Sequence, residues 1–391
     1  MKPNALRTLA FMAAAIVTSG AALAETPPST LAQYAVKPGI TLSGVSSGAA
    51  MALQYAVAWS DEVSGIGAIA GVPYGCAEGT LSFALNRCMA ASWPGWFGAR
   101  TDDPPDPKHL FELMRRQEEK GAIGSLAAQT RQKVWWFSSS KDKVVVEASA
   151  KVTESLYQQV YEHAGAAHWQ DGFKANIRPD HLERETPSPA ESYARTHAVH
   201  AQITPEATEA CDHAGMPFLV NCRAGDTSFD ASGEMFSHFY GALKAKTGDG
   251  TGGSLKVFEQ KPFIDAVVHD GNHTPPSSQG MRFSFAKTGH VFVPERCETQ
   301  ACRLHVALHG CAMGDSDAYA LKAGYNNWAA ANDIIVLYPR VVATTATFQA
   351  INPQGCWDWW GYAGGDYATR NGAQMQVLHN MVNAFRRESE R

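Results

Sequence analysis

Residues 40–58 read ITLSGVSSGAAMALQYAVA. The first six, ITLSGV, form a short apolar run of strand type. From Ala49 the chain is apolar nearly all round, the pattern of a helix buried on every side. Between the two stands Gly44-Val45-Ser46-Ser47-Gly48, a G-x-S-x-G pattern at a predicted strand-to-helix turn. Glycines flanking such a turn remove the clashes that would forbid it, and the serine hydroxyl is lifted above the sheet edge with the N-terminus of the helix beneath it. The bare five-residue pattern also arises by chance in Gly/Ser turns, so its position makes Ser46 a candidate nucleophile.

Further along, VSGIGAIAG (63–71), KVWWF (133–137), PFLVNC (217–222), LHVALHG (304–310) and DIIVLYP (333–339) read as buried strands. Residues 147–165 carry Val152, Leu156 and Val160 near helical spacing, with Gly165 after the end, and Met375, Leu378, Met381, Val382 and Phe385 mark a C-terminal helix. Buried strands alternating with helices predict an α/β fold with a mostly parallel central sheet covered by helices on both faces. Residues 92–108, with four prolines and two tryptophans, and residues 165–200, rich in His, Pro and charge, read as loops.

The chain has 391 residues, 45% hydrophobic and 18% charged, enough to build a large core without staples. Its first 24 residues read as an export signal: Lys2 and Arg7, then LAFMAAAIV, then Ala22-Leu23-Ala24, a small-x-small cleavage pattern. The apolar run is too short for a comfortable membrane span, so residues 25–391 are expected to form one exported catalytic domain, a monomer with no membrane span. Without Lys2 and Arg7 the 33 basic residues become 31 against 38 acidic, a net charge of −7 that argues against nucleic acid as a partner. Cys76, Cys88, Cys211, Cys222, Cys297, Cys302, Cys311 and Cys356 all follow the signal. An even number in an oxidising compartment predicts four disulfides, and sequential pairing is the simplest arrangement. Neither zinc-finger spacing nor HExxH is present, so no metal and no cofactor is expected.

A serine hydroxyl needs a histidine base, and the imidazolium that forms needs a carboxylate. Asp142 lies just beyond KVWWF, where a carboxylate at the carboxyl end of a strand reaches such a site; a solvated turn residue is the plain alternative. Spacing does not choose among His163, His168, His181, His197, His200 and His213, although His197 and His200 follow the Asp and precede another strand. Oxyanion donors come from the residue after the nucleophile, Ser47, and from a loop after a different strand. His309-Gly310-Cys311 supplies that loop, with the Cys311 N–H as donor, yet its strand ordinarily precedes the elbow and here follows it. Circular permutation resolves the conflict: the block from 304 to 385 takes the place of an N-terminal half if the last helix ends near residue 40. Gly355-Cys356-Trp357-Asp358-Trp359-Trp360-Gly361-Tyr362 packs four aromatics beside a cysteine. A 311–356 disulfide would hold this patch against the oxyanion loop, making Trp357 and Trp359 a candidate substrate wall, with buried core as the alternative.

Taken together, SGVSSGAAMALQYAVAWSD with AGVPYGCA, KVWWFSSSKDKVVV, PFLVNC with GEMFSHFYGAL, GHVFVPERC with CRLHVALHGC, and NPQGCWDWWGY resemble the secreted polyhydroxybutyrate depolymerases of the single-domain, circularly permuted α/β-hydrolase group. The resemblance implies Ser46 as nucleophile, Asp142 as orienting carboxylate, Ser47 and Cys311 as oxyanion donors and Trp357 in the substrate crevice. It also selects His200, within VHAQIT, although Val199 stands where the family has glycine and Ile203 where it has proline; this departure keeps His197 in view. The implied reaction is hydrolysis of a hydrophobic polyester through a 3-hydroxyacyl-enzyme, with Trp93, Trp96 and Phe97 as candidate polymer contacts. Two rivals stand beside it: a secreted serine hydrolase of the same fold acting on soluble hydroxyacid oligomers, aromatic esters or a polyamide, and a non-catalytic polymer-binding protein.

Overall fold

The computed structural model describes residues 31, 34–89, 104–165, 169–178, 187–269, 282–344 and 352–389. The 1–24 signal, Trp93, Trp96, Phe97, His168 and His181 lie outside the described residues. Strands β1 (Ile40–Val45), β2 (Val63–Ile69), β3 (Lys133–Phe137) and β4 (Ile177–Arg178) come from the first half of the chain. Three short strands, β5 (Gln202–Ile203), β6 (Glu209–Ala210) and β7 (Leu219–Asn221), form a small separate sheet, and β8 (Arg223–Ala224) pairs with β9 (Thr227–Ser228) as a hairpin. The second half contributes β10 (Gly253–Glu259), β11 (Thr288–Pro294), β12 (Arg303–Leu308) and β13 (Ile334–Tyr338).

The main sheet has eight strands in the order β10-β11-β13-β12-β1-β2-β3-β4. From β13 to β4 every pairing is parallel; β11 and β10 complete one side antiparallel. β1, β12 and β13 are buried almost throughout, as parallel strands covered on both faces must be. Read from β10 to β13 and then onward from β1, this is an α/β-hydrolase sheet whose N-terminal half stands at the end of the chain. The join runs through the centre of the sheet, where Ser43 pairs with Ala307 and Gly44 with Leu308. The C-terminal helix Ala373–Ser389 returns to the start of the sheet, with the Phe385 ring 6.4 Å from that of Tyr34.

Three expectations need correction. The transposed block begins at Gly253, well before 304, because β10 and β11 belong to the same half-sheet; Lys256, Gly253 and Gly289 interrupt their apolar runs. PFLVNC yields β7, which lies in the small sheet rather than the main one, since two-residue partners on either side cap it. The segment 165–200 is not simply loop: it holds the helices Trp169–Asn176 and Pro189–His197, the second with the Ser188 hydroxyl capping Glu191 N–H at 3.1 Å.

A buried polar ladder spans the join. The His305 ring on β12 bonds Thr41 through Nδ1 at 2.8 Å and Ser43 through Nε2 at 2.7 Å, both on β1, and Ser43 also meets the Tyr325 hydroxyl at 2.8 Å. Burial alone pushes the His305 pKa down to about 3, below the 6.5 of a free ring. The unfolded chain therefore binds a proton that the folded one refuses. This contribution to stability is whole above about pH 6.5 and is lost as pH falls toward 3. Urea unfolding should accordingly show stability dropping by roughly 1 to 1.5 kcal/mol per pH unit below pH 6 on account of this ring. A His305→Gln variant should lose that slope, and a wild-type stability that is flat from pH 7 to pH 5 would contradict the account.

Candidate active site

The turn after β1 is strained at Ser46, with φ 57° and ψ −123°, a region a non-glycine residue enters only when its surroundings dictate it. Two glycines make the turn sterically feasible. A Cβ on Gly44 would lie 2.3 Å from the Gly48 carbonyl carbon, and one on Gly48 would lie 2.2 Å from the Leu308 oxygen. Backbone therefore packs on backbone where β1, helix α1 (Ser47–Ala58) and β12 converge. The Ser46 N–H bonds the Ile69 carbonyl at 2.9 Å and the Ala70 N–H bonds the Phe137 carbonyl at 2.9 Å, lacing together the carboxyl ends of β1, β2 and β3. Between Ile40 and Ala58 every residue is buried except Ser46, which is partly exposed.

Asp142 and His200 meet. His200 Nδ1 lies 2.8 Å from Asp142 Oδ2, while Asp142 Oδ1 accepts the Val144 and Val145 N–H groups at 2.8 and 3.0 Å. The carboxylate is buried, and the turn that follows β3 fixes its Oδ1 side. That turn is tied to the histidine segment, because the Arg195 carbonyl accepts from the Ser140 N–H and the Ser139 hydroxyl, both at 3.0 Å. The small sheet and the Cys211–Cys222 disulfide hold the other side, with Val199 N–H bonding the Cys211 carbonyl at 3.2 Å. His200 Nε2 is buried with no hydrogen-bond partner among the described residues. No hydrogen bond joins it to Ser46 among those residues.

The other histidines stand apart. His197 is exposed, stacked on Tyr193 with ring centroids 3.9 Å apart and bonded to the Tyr193 carbonyl at 3.0 Å, with no carboxylate partner among the described residues. His213 is partly exposed beside Glu209, and His163 packs edge-on against Phe111.

On the opposite flank, the loop after β12 lies against the nucleophile turn: a Cβ on Gly310 would sit 3.3 Å from the Val45 oxygen and 3.4 Å from Ser46 Cβ. Neither the Cys311 N–H nor its neighbourhood is consumed by sheet pairing, and nothing among the described residues accepts from it. Cys311 is bonded to Cys356, with Cα atoms 4.1 Å apart; Cys76–Cys88 and Cys297–Cys302 complete the four disulfides, each joining cysteines consecutive in the chain.

The aromatic loop departs from expectation. Trp357 is 0% exposed: its indole N–H donates to the His309 carbonyl at 3.0 Å, and its backbone N–H donates to the Ser47 hydroxyl at 3.3 Å. It packs beneath the loop after β12 as buried core. Trp359 is likewise buried, packed with Cys76, Cys88 and Val145. The Asp358 carboxylate caps the turn by accepting the N–H groups of Gly361, Tyr362 and Ala363 at 2.7 to 2.9 Å, although burial pushes its pKa up to about 6. Only Trp360 presents a partly exposed indole, 4.9 Å from the Tyr362 ring. Four aromatics in one loop carry no period, so the sequence had no signal for which of them faces outward.

Among the described residues no group of three or more His, Cys, Asp or Glu is placed to hold a metal ion, and no helix is long and apolar enough to cross a membrane.

No family model matches the chain. It is 32% identical over 355 residues to the poly(3-hydroxybutyrate) depolymerase of Delftia acidovorans, covering 88% of this chain but only 59% of that protein. It is 28% identical over 385 residues to the polyhydroxybutyrate depolymerase of Talaromyces funiculosus, covering 94% of this chain and 95% of that one. Two solved structures share the fold with a TM-score of 0.70 at 24% identity, each covering 92% of this chain and 99% of the other. One is a PHB depolymerase from Penicillium funiculosum; the other is a serine-to-alanine PHB depolymerase complexed with an R3HB trimer.

Proposed function

We propose that this chain, similar over most of its length to polyhydroxybutyrate depolymerases, is an exported serine esterase that hydrolyses poly(3-hydroxybutyrate)-type polyesters and their oligomers. The observation that carries the reading is the Asp142–His200 pair, which leaves one ring nitrogen without a partner, on a sheet whose strained turn presents Ser46 as its one partly exposed residue. Four disulfides are in keeping with an oxidising destination.

In the proposed reaction the Ser46 hydroxyl attacks the ester carbonyl and His200 Nε2 takes its proton. Asp142 holds the ring through Nδ1 and stabilises the imidazolium. The Ser47 and Cys311 N–H groups receive the developing oxyanion. His200 then returns the proton to the departing alkoxide, leaving a 3-hydroxyacyl ester on Ser46, which water cleaves with His200 again as base. The missing Ser46–His200 bond closes when substrate enters, as such contacts commonly do between free and occupied sites. Trp360 and the segment carrying Trp93, Trp96 and Phe97 are the proposed contacts for an uncharged polymer.

The test is product analysis by mass spectrometry after incubation with amorphous poly(3-hydroxybutyrate). Wild type should release 3-hydroxybutyrate and short oligomers, while Ser46→Ala should fall at least about 10⁴-fold with its fold intact. Wild-type protein that leaves both polymer and soluble oligomers untouched would end this reading.

A further inference from the structure

The chemistry proposed above needs the Cys311 N–H aimed at the ester oxygen, and besides His309 the loop holds that peptide through a long bond from the Met313 N–H to the Gly310 carbonyl at 3.3 Å. We infer that His309 is the positioning residue for this oxyanion donor, acting through a fixed tautomer that grips the preceding carbonyl. The inference rests on the esterase reading.

The tautomer follows from the two partners of the ring. The Val341 N–H donates to His309 Nε2 at 3.0 Å; an amide N–H only donates, so Nε2 must offer a lone pair. In a neutral imidazole the proton then resides on Nδ1, which lies 2.7 Å from the Gly310 carbonyl oxygen, an acceptor. Burial favours this neutral state, the first cause of a pKa pushed down to about 4, with the nearby Arg340 charge adding to it.

The consequence for Cys311 is geometric. The Gly310 carbonyl and the Cys311 N–H belong to one trans peptide plane and point in opposite directions. A ring that draws the carbonyl to one side therefore turns the N–H to the other. Ser46 abuts Gly310, and the Cys311 N–H has no acceptor among the described residues, so the donor is held unspent beside the nucleophile.

The ring itself cannot swing. It is 2% exposed, and Gly314 lies so close that a Cβ there would come within 3.0 Å of both His309 Cε1 and Nε2. The Arg340 guanidinium grips the Gly314 carbonyl through Nε at 2.9 Å and Nη2 at 2.7 Å, fixing the far end of the loop. The Trp357 indole holds the His309 carbonyl. Each hydrogen-bonding position of the ring is thus committed, one to strand β13's continuation and one to the oxyanion peptide.

Two amide substitutions separate positioning from mere packing. His309→Asn keeps a donor at the level of Nδ1 but loses the acceptor for Val341; His309→Gln keeps an acceptor near Nε2 but loses the Nδ1 donor. On a soluble 3-hydroxybutyrate ester, kcat of His309→Gln should fall about 100-fold with KM within about threefold, and affinity for a boronic acid that forms a tetrahedral adduct on Ser46 should fall in parallel. His309→Asn should keep kcat within about tenfold of wild type. Equal losses in both variants, tracking their melting temperatures, would overturn the inference, as would an unaltered kcat in His309→Gln. Should neither variant fold, ¹⁵N-histidine spectra of wild-type protein decide: a proton on Nδ1 of His309 supports the inference, and one on Nε2 sinks it. Wild type inactive on every ester, by contrast, would remove the esterase reading itself.

Discussion

Asp142→Asn is expected to lower kcat about 10⁴-fold while leaving the fold and KM nearly unchanged. The size of the effect comes from the two sides of the carboxylate. Oδ1 faces the Val144 and Val145 N–H groups, so an asparagine must put its carbonyl oxygen there or leave two buried donors unmet. Its NH₂ is then forced toward His200 Nδ1, which has to accept instead of donate. The ring proton moves to Nε2, the nitrogen proposed to receive the Ser46 proton, and the base is lost without loss of structure. Steady-state kinetics on a soluble ester, with circular dichroism as control, measures this. A fall of under tenfold would mean that the Asp142–His200 contact does not serve catalysis.

Gly48→Ala is expected to cost at least about 4 kcal/mol, enough to abolish recovery of folded protein or to move its urea midpoint far downward. The added methyl would meet the Leu308 oxygen at 2.2 Å, and neither α1 nor β12 can retreat, because both are buried along their length. Gly75→Ala, with its positive φ of 69° but open space around the missing Cβ, should cost about 1 kcal/mol and serves as the control. Comparable midpoints for the two variants would show that close approach at Gly48 is not what shapes the elbow.

Much of this site was legible in the chain. The elbow announced itself because close backbone approach demands glycine at fixed offsets from Ser46, the residue that itself takes the strained φ. β3 and β13 were legible because strands buried on both faces are apolar without interruption. The histidine was not legible from spacing, which left His197 and His200 equal; the resemblance selected His200, and the structure shows His197 stacked on Tyr193 and His200 bonded to Asp142. β10 escaped because it is half exposed, mixing Lys256 and Glu259 with its apolar residues. Composition could not choose for Trp357 and Trp359 between a substrate wall and buried core, since an aromatic bracing a loop from inside has the same composition as one lining a crevice; both are buried. His309 was noticed only as the first letter of a loop motif; its bond to Val341 joins segments no local pattern connects.

The join between β1 and β12 has a bearing on how the molecule comes into being. The strand that leads into the Ser46 turn is made early, yet one of its two neighbours in the sheet is among the last strands synthesised. An emerging polypeptide can align β1 with β2 and β3, but the elbow has nothing for Gly48 to rest on until Leu308 arrives. Assembly of the working centre is therefore an event of the nearly finished polypeptide, dominated by long-range closure and correspondingly slow. If the chain is exported unfolded, as proposed above, the proposed centre stays disassembled during passage and is completed only on the far side.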